Sequence, residues 1–442
     1  MTRRHGCALL SAIIAVVVAV SAAIYVGVSA DGGNTRGGFV TGHPTTPHNT
    51  AAPASTGTWA GSWSASPSGA EPGTATVGMA GRSVRNVVHA GIGGTGARVT
   101  LSNLFGTQPL TLTHASIAVA ASQGPDAIAD TMRRLTFGGA TTVVIPPGEQ
   151  VVSDAVRIAL PQGSDVLVTT YSPTPSGPVT YHRHARQISY AAEGDRTEDV
   201  TGADFTEPTR FWRYLTALDV LSDEASGTVV VLGDSITDGI TSTVGANHRW
   251  TDILAARLRA AGGSSAVPRY SVVNQGISGN RVLANGGGPA DNPSALSRFD
   301  RDVLGRTNVK AVVIDLGIND ILRTPGRADP DKITAGLRTL VNDAHARGLK
   351  VIGTTLTPFK DHHGYRADRE QVRQAVNARI RAGTVYDAVV DFDQALRDPY
   401  DPRRLRPGYD SGDHLHPSDR GFQRMAEVFD LTSLKGAAPA RL

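Results

Sequence analysis

Apolar residues recur along this chain in two rhythms, and the change falls near residue 225. From Trp59 to about Asp223 the apolar runs are short and alternate with polar residues. Examples are ARVTLSNL (97–104), LTLTHASIAVA (110–120), TTVVIP (141–146), VVSDAVRIAL (151–160) and DVLVTTYS (165–172). Gly-Thr, Pro-Pro-Gly and Pro-Gln-Gly separate several of them, at a spacing of roughly ten residues. This patterning predicts an all-β, jelly-roll-like sandwich over residues 58–225.

From Thr228 continuous apolar runs take over: VVVL (229–232), YSVVN (270–274), VKAVVIDL (309–316), KVIGTTL (350–356) and DAVVDF (387–392). Such runs suit strands buried on both faces. Between them lie amphipathic stretches at 250–261, 295–304, 331–347 and 367–381, with a last one at 417–429. Leu337, Leu340, Val341 and Ala344 hold the i, i+3, i+4, i+7 spacing of one buried helix face. Strand–helix alternation predicts an α/β domain over 226–436, its parallel sheet covered on both sides.

The N-terminus alters where this protein is expected to work. Arg3, Arg4 and His5 precede an uncharged apolar run from Ala8 to Ala30. This reads as a signal peptide over 1–30, cleaved after Val28-Ser29-Ala30. The run also exceeds the roughly 20 residues that span a bilayer, so an uncleaved membrane anchor through residues 8–30 is the alternative. Both place the remainder outside the cytoplasm, secreted or anchored facing outward. Residues 31–57 are rich in Gly, Thr, Pro and Ala without periodicity, the composition of a disordered linker. The single cysteine, Cys7, precedes the apolar run, so the exported part offers neither a disulfide nor a thiol nucleophile. A net charge of +3 over 442 residues gives no reason to expect a nucleic-acid partner, and a monomer is expected.

In an open parallel sheet the carboxyl ends of the strands share one rim, where ligands bind. After VVVL comes Gly233-Asp234-Ser235, a sharp turn that presents a serine to that rim. Taken alone, this turn reads equally well as a helix cap. The second run leads into Asn274-Gln275-Gly276-Ile277-Ser278-Gly279-Asn280, and the third into Gly317-Ile318-Asn319-Asp320. After the fifth run and a long loop comes Asp413-His414-Leu415-His416-Pro417. Hydrolytic acyl transfer needs a nucleophile, a base, a carboxylate to orient it and donors for an oxyanion. All four residue types occur on this one rim.

The blocks GDSITDG, NQGISGN, GIND and DHLHP resemble, in order and at fitting separations, the four sequence blocks of the SGNH/GDSL hydrolases, over about 227–435. The resemblance implies a flavodoxin-like three-layer domain. It implies Ser235 as nucleophile, His416 as base and Asp413 as its orienting carboxylate, with Ser235, Gly279 and Asn319 forming the oxyanion hole. The preceding stretch, with GSWSASP and LSNLFGTQPL, is similar to the extra N-terminal domain of some secreted actinobacterial members. Spacing agrees with these roles. Asp413 and His416 are three apart and share one side of a turn, so the carboxylate can fix the imidazole tautomer. His414, two residues before His416, points elsewhere. Glycine at 279 permits close backbone approach to an oxyanion. Asp234 and Asp238 are read as structural.

Other polar groups are given weaker readings. His182, His184, Gln187 and Tyr190 are read as facing solvent or the neighbouring domain rather than a metal. Asp361-His362-His363 is read as a solvated or substrate-rim loop. Trp59, Trp63 and Trp212 are read as buried or half-buried rather than as a sugar platform. No cofactor and no metal is called for. The expected function is an exported serine esterase acting on small acyl groups, such as acetyl esters of polysaccharide. The alternatives are a lipase, lysophospholipase or thioesterase on longer chains, an acyltransferase, and an inactive glycan-binding protein.

Overall fold

The run Val229–Leu232 lies inside the strand Gly227–Gly233, every residue of which is buried. This computed structural model describes residues 57–436, apart from 263 and 287–290. The expected leader (1–30) and nearly all of the expected linker (31–57) lie outside the described residues. The central strand pairs in parallel with Tyr270–Gly276 on one side and Val309–Asp315 on the other. Lys350–Thr354 and Ala388–Val390 extend the sheet beyond Val309–Asp315. The spatial order is therefore second, first, third, fourth, fifth.

Side chains alternate across the central strand, so its valines feed two cores. Val230 and Leu232 pack with Leu337 and Leu340 of the helix Pro330–Ala346 and with Val376 of the helix Ala367–Arg381. Val229 and Val231 pack with Trp250 and Leu254 of the helix Trp250–Ala261 and with Phe422 and Met425 of the helix Asp419–Glu427. These are the three layers of the α/β part. The stretch predicted as one helix over 295–304 is an α-helix, Ala295–Phe299, that continues into a π-turn, Asp300–Leu304.

Ahead of it, two antiparallel sheets face each other. One runs in the order Thr58–Ser64, Leu215–Ser222, Gly94–Ser102, Val156–Leu160, with Gln150–Val152 also paired to Gly94–Ser102. The other centres on Arg82–His89, Asp165–Ser172 and His114–Val119. Their inner faces share one core, with Leu101, Leu218 and Val220 from the first and Val84, Val168 and Ile117 from the second. Two of the predicted runs are broken. Residues 110–120 divide into Leu110–Leu112 and His114–Val119, which join different sheets. Residues 151–160 divide where Ser153 turns inward and its hydroxyl accepts from Val99 N. Trp63 and Trp212 are core residues in edge-to-face contact with ring centroids 4.7 Å apart, and the Trp212 indole donates to Val87 O at 2.7 Å.

The sandwich and the parallel sheet belong to one compact unit. Thr58–Ser64 packs against Tyr270–Gly276, the edge strand of the parallel sheet. Gly61 donates its N–H to Thr228 Oγ1 at 3.0 Å, and a Cβ at Gly61 would lie only 2.9 Å from Val273.

Candidate active site

Ser235 opens a single helical turn, Ser235–Asp238, directly after the central strand. Asp234 caps that turn by accepting from Ile236 N at 3.0 Å. The strand order reverses between the first and third strands, and ligands of open α/β sheets bind at that crevice. Ser235 stands there.

The hydroxyl of Ser235 lies 2.8 Å from Nε2 of His416. Nδ1 of the same ring lies 2.6 Å from Asp413 Oδ2. The other oxygen of Asp413 accepts the backbone N–H groups of Leu415 and His416, at 3.0 and 2.8 Å. Burial pushes the Asp413 carboxyl up, but the bonds from the His416 ring and backbone outweigh it and hold it well below the usual carboxylate range. An ionised Asp413 makes Nδ1 the donor, which leaves Nε2 able to accept from Ser235. His414 adopts a positive φ of 64° and turns its ring to Asp410 Oδ2, at 2.7 Å, away from this chain of contacts.

Gly279 and Asn319 line the same cleft as Ser235 and His416. Gly279 has φ +77°, a conformation that favours glycine, and a Cβ there would meet Arg323 Nη2 at 2.7 Å and displace that guanidinium. Asn319 donates from Nδ2 to Asp234 Oδ2 at 3.3 Å and accepts from Arg323 Nε at 3.2 Å. The two contacts fix which way its amide faces. Burial and the neighbouring Asp315 carboxyl push Asp234 well above the usual carboxylate range. Asp315 accepts from Thr237 and Thr354 at 2.8 and 2.7 Å, and burial pushes it up as well.

Three side chains support this rim; the sequence reading singles out only Asp238 among them, as structural, and misses Arg298 and Arg323. Arg298 is wholly buried beneath the rim. It donates to the carbonyls of Gly233 and Gln275 at 3.0 and 2.8 Å, to Asn280 Oδ1 at 2.9 Å and to Asp302 at 3.0 Å. One side chain thus ties the first and second rim loops together; burial pushes its guanidinium down to about 10. The Arg298–Asp302 spacing of i, i+4 was the available signal. The second support is Asp238. Its Oδ2 accepts from Ser278 N at 3.0 Å and from Ser278 Oγ at 2.6 Å, and its Oδ1 meets His182 Nε2 at 3.0 Å. His182 comes from the sandwich and faces the neighbouring part of the chain, as expected for one of the two readings of that cluster. Arg323, beside Gly279 and Asn319, is the third.

With this geometry in place, comparison with known proteins decides the class. Residues 231–424 match the model of the GDSL-like Lipase/Acylhydrolase family. This stretch is a GDSL hydrolase domain. Its signature block reads Gly233-Asp234-Ser235-Ile236, with isoleucine in the fourth place. Solved structures similar to this chain include a GDSL-like lipase from Bacteroides thetaiotaomicron, 24% identical over 46% of this chain and 84% of that one, with a TM-score of 0.33. Another is a member of the lipolytic protein G-D-S-L family from Veillonella parvula, 18% identical over 46% and 96%, with a TM-score of 0.32. A carbohydrate acetylesterase from Sinorhizobium meliloti is 17% identical over 46% and 95%, with a TM-score of 0.35. No curated protein matches the chain. The GDSL domain makes this chain a serine ester hydrolase.

The cleft around Ser235 has a volume of about 1010 Å³. The GDSL domain contributes most of its wall, including His362 and His363 of the loop read as a substrate rim, while Ser68, Tyr181 and Arg183 come from the sandwich.

Proposed function

We propose that this chain is an exported esterase that removes small, acetyl-type acyl groups, with saccharide esters as substrates. The observation that carries the catalytic reading is the continuous path from Ser235 Oγ through His416 to Asp413, with contacts of 2.8 and 2.6 Å. Ser235 attacks the ester carbonyl as Nε2 of His416 takes its proton. The negative charge that develops on the carbonyl oxygen is received by the N–H groups of Ser235 and Gly279 and the Asn319 amide. His416 then gives the proton to the departing alcohol. Water repeats the sequence on the acyl-enzyme.

The preference for small acyl groups is supported by what lines the cleft. A long chain gains roughly 0.8 kcal/mol per buried CH₂ only where an apolar wall receives it. Of the apolar side chains in the flanking loops, Phe359 is wholly buried against Ile318 and Leu415, and Leu283 packs over Gly336. The apolar groups on the wall are Ile240, Ile277, Leu322, Leu415 and Tyr181, with Ala70 and Pro72, scattered among arginines, histidines and other polar side chains.

The test pairs a fluorophosphonate probe with 4-nitrophenyl acetate. The wild-type protein should be labelled and should turn over the ester; Ser235→Ala should do neither. Undiminished labelling of the variant would refute the assignment of Ser235. Export is supported by Arg3, Arg4 and the run 8–30, and the N-terminus of protein recovered from medium should be Asp31. Protein that stays in the cytoplasm would refute it.

A further inference from the structure

The cleft around Ser235 carries more positive charge than the hydrolytic path uses. Arg183, Arg323 and Arg369 line it from three separate segments. Arg183 follows the strand Thr180–His182, Arg323 ends the helix Ile318–Arg323, and Arg369 lies in the first turn of Ala367–Arg381. Among the described residues none of these three forms an ion pair with a carboxylate, whereas Arg213, Arg298, Arg373 and Arg381 each do. Arg323 uses Nε on Asn319, and Arg369 uses Nη1 on Gly364 O at 2.8 Å; other donors of both remain for a ligand.

Little in the cleft offsets this charge. Two carboxylates line it, Asp238 and Asp291. Asp238 is buried and committed to His182 and Ser278, and Asp291 is exposed beside Gly69. Asp413, nearby, is taken by His416. Burial pushes His184 and His362 below the usual imidazole range, so the excess charge rests on the arginines. A guanidinium fork matches the paired oxygens of a carboxylate or phosphate. Like charges in a cleft with low-dielectric walls also act together to concentrate a counter-charged substrate.

We propose that the natural substrate is anionic: an ester whose acyl or alcohol part carries a carboxylate or phosphate, held by Arg183, Arg323 and Arg369 while the ester carbonyl sits at Ser235. The proposal rests on the ester-hydrolysis reading of this cleft. It gives the sandwich a part in substrate choice, because Arg183 belongs to it.

Matched substrates test it. 4-Nitrophenyl hemisuccinate against 4-nitrophenyl butyrate places the charge on the acyl side. On the alcohol side, acetylated methyl galactoside is compared with its uronate and its 6-phosphate. In at least one comparison kcat/KM should be about tenfold or more higher for the anionic member at low salt. Added salt should shrink the ratio. Arg183→Gln with Arg369→Gln should bring the ratio towards one, and the lysine pair should retain more of it; Arg323 is left alone because it orients Asn319. Ratios at or below one in every comparison, or a ratio the glutamine pair leaves unchanged, would overturn the proposal. The same esters titrated calorimetrically into Ser235→Ala protein decide the matter without turnover. Tighter binding of the anionic member supports the proposal, and equal or weaker binding defeats it, whatever becomes of the hydrolytic reading.

Discussion

Replacing His182 asks whether a residue of the sandwich sets the geometry of the hydrolytic rim. Its ring Nδ1 lies 2.8 Å from Ser66 O and its Nε2 lies 3.0 Å from Asp238 Oδ1. His182→Ala removes both contacts and leaves Asp238, only 2% exposed, with one oxygen unpaired. Breaking a buried pair by deleting one partner costs about 3–5 kcal/mol of stability. Burial pushes the Asp238 carboxyl up, and His182 pulls it below its ordinary value. A depressed folded value contributes stability above the ordinary carboxylate range and loses it as pH falls through the folded value. The cost of His182→Ala should therefore be full near neutrality and shrink in acid, where the variant's Asp238 takes up a proton. The catalytic effect travels through Ser278, whose N–H and hydroxyl both rest on Asp238 and which precedes Gly279. Loss of a whole oxyanion donor lowers kcat by about 10²–10³. A displaced Gly279 N–H should cost less, about 10–10², with KM little changed. The assay is a double-mutant cycle in kcat with Asp238→Asn. If the two residues act through one contact, the coupling should be on the order of 1–3 kcal/mol. Effects that add to within about 0.5 kcal/mol would refute the link.

Three further outcomes follow from the same geometry. Asn319→Ala should lower kcat by about 10²–10³ and leave the circular dichroism spectrum intact; near-normal kcat would reduce Asn319 to a helix residue. Across 4-nitrophenyl esters from acetyl to palmitoyl, kcat/KM should fall towards the long chains, and a maximum at ten or more carbons would favour the lipase alternative. Asp315→Asn should stabilise the protein near pH 7, because it removes a buried carboxylate that lies beside Asp234 and is itself pushed up by burial. Asp234 and Asp315 are both raised, so the folded state holds more protons than the unfolded one and stability falls as pH rises. The gain should therefore shrink in acid, and a gain independent of pH would count against the repulsion.

What the sequence made legible were features that leave a local signature. The continuous run Val229–Leu232 announced a doubly buried strand, and the polar blocks after successive strands met on one rim because parallel strands share a direction. The spacing favours His416 over His414; the His416 ring lies between Ser235 and Asp413, and His414 turns to Asp410. Features built from distant polar partners were not legible. Arg82–His89 is a central strand, yet Arg85 and Asn86, both wholly buried, interrupt its apolar pattern. Arg85 is accommodated by Thr169 and by the carbonyls of Pro125 and Asp199, none of them near it in sequence. His182 and Asp238, or Ser66 and Arg298, likewise meet only because the two parts of the chain are packed together. A polar residue buried by a remote partner looks, in sequence, like one facing water.

That packing bears on what the sandwich is for. A tethered binding module would touch the hydrolase part through a polar, dispensable surface. Here the contacts reach the residues that hold the rim. Ser66 accepts from Arg298 Nη1 at 2.9 Å, and Arg298 in turn holds the carbonyl of Gly233, two residues before Ser235. Ser64 accepts from Gln275 at 2.6 Å in the second rim loop, and His182 holds Asp238. If residues 226–436 were produced alone, water could replace each of these partners, so few polar groups would be left unsatisfied. Water would not hold them in place, however, and transition-state stabilisation depends on donors fixed before the reaction begins. The fragment should therefore lose rate more than it loses hydrogen bonds. We expect kcat on 4-nitrophenyl acetate to fall by about 10–10², the same range as for His182→Ala, because both perturbations free the loop that carries Gly279. A folded fragment with the kcat of the full chain would show that the rim is set within the GDSL domain alone, and would return the sandwich to the role of an appended module.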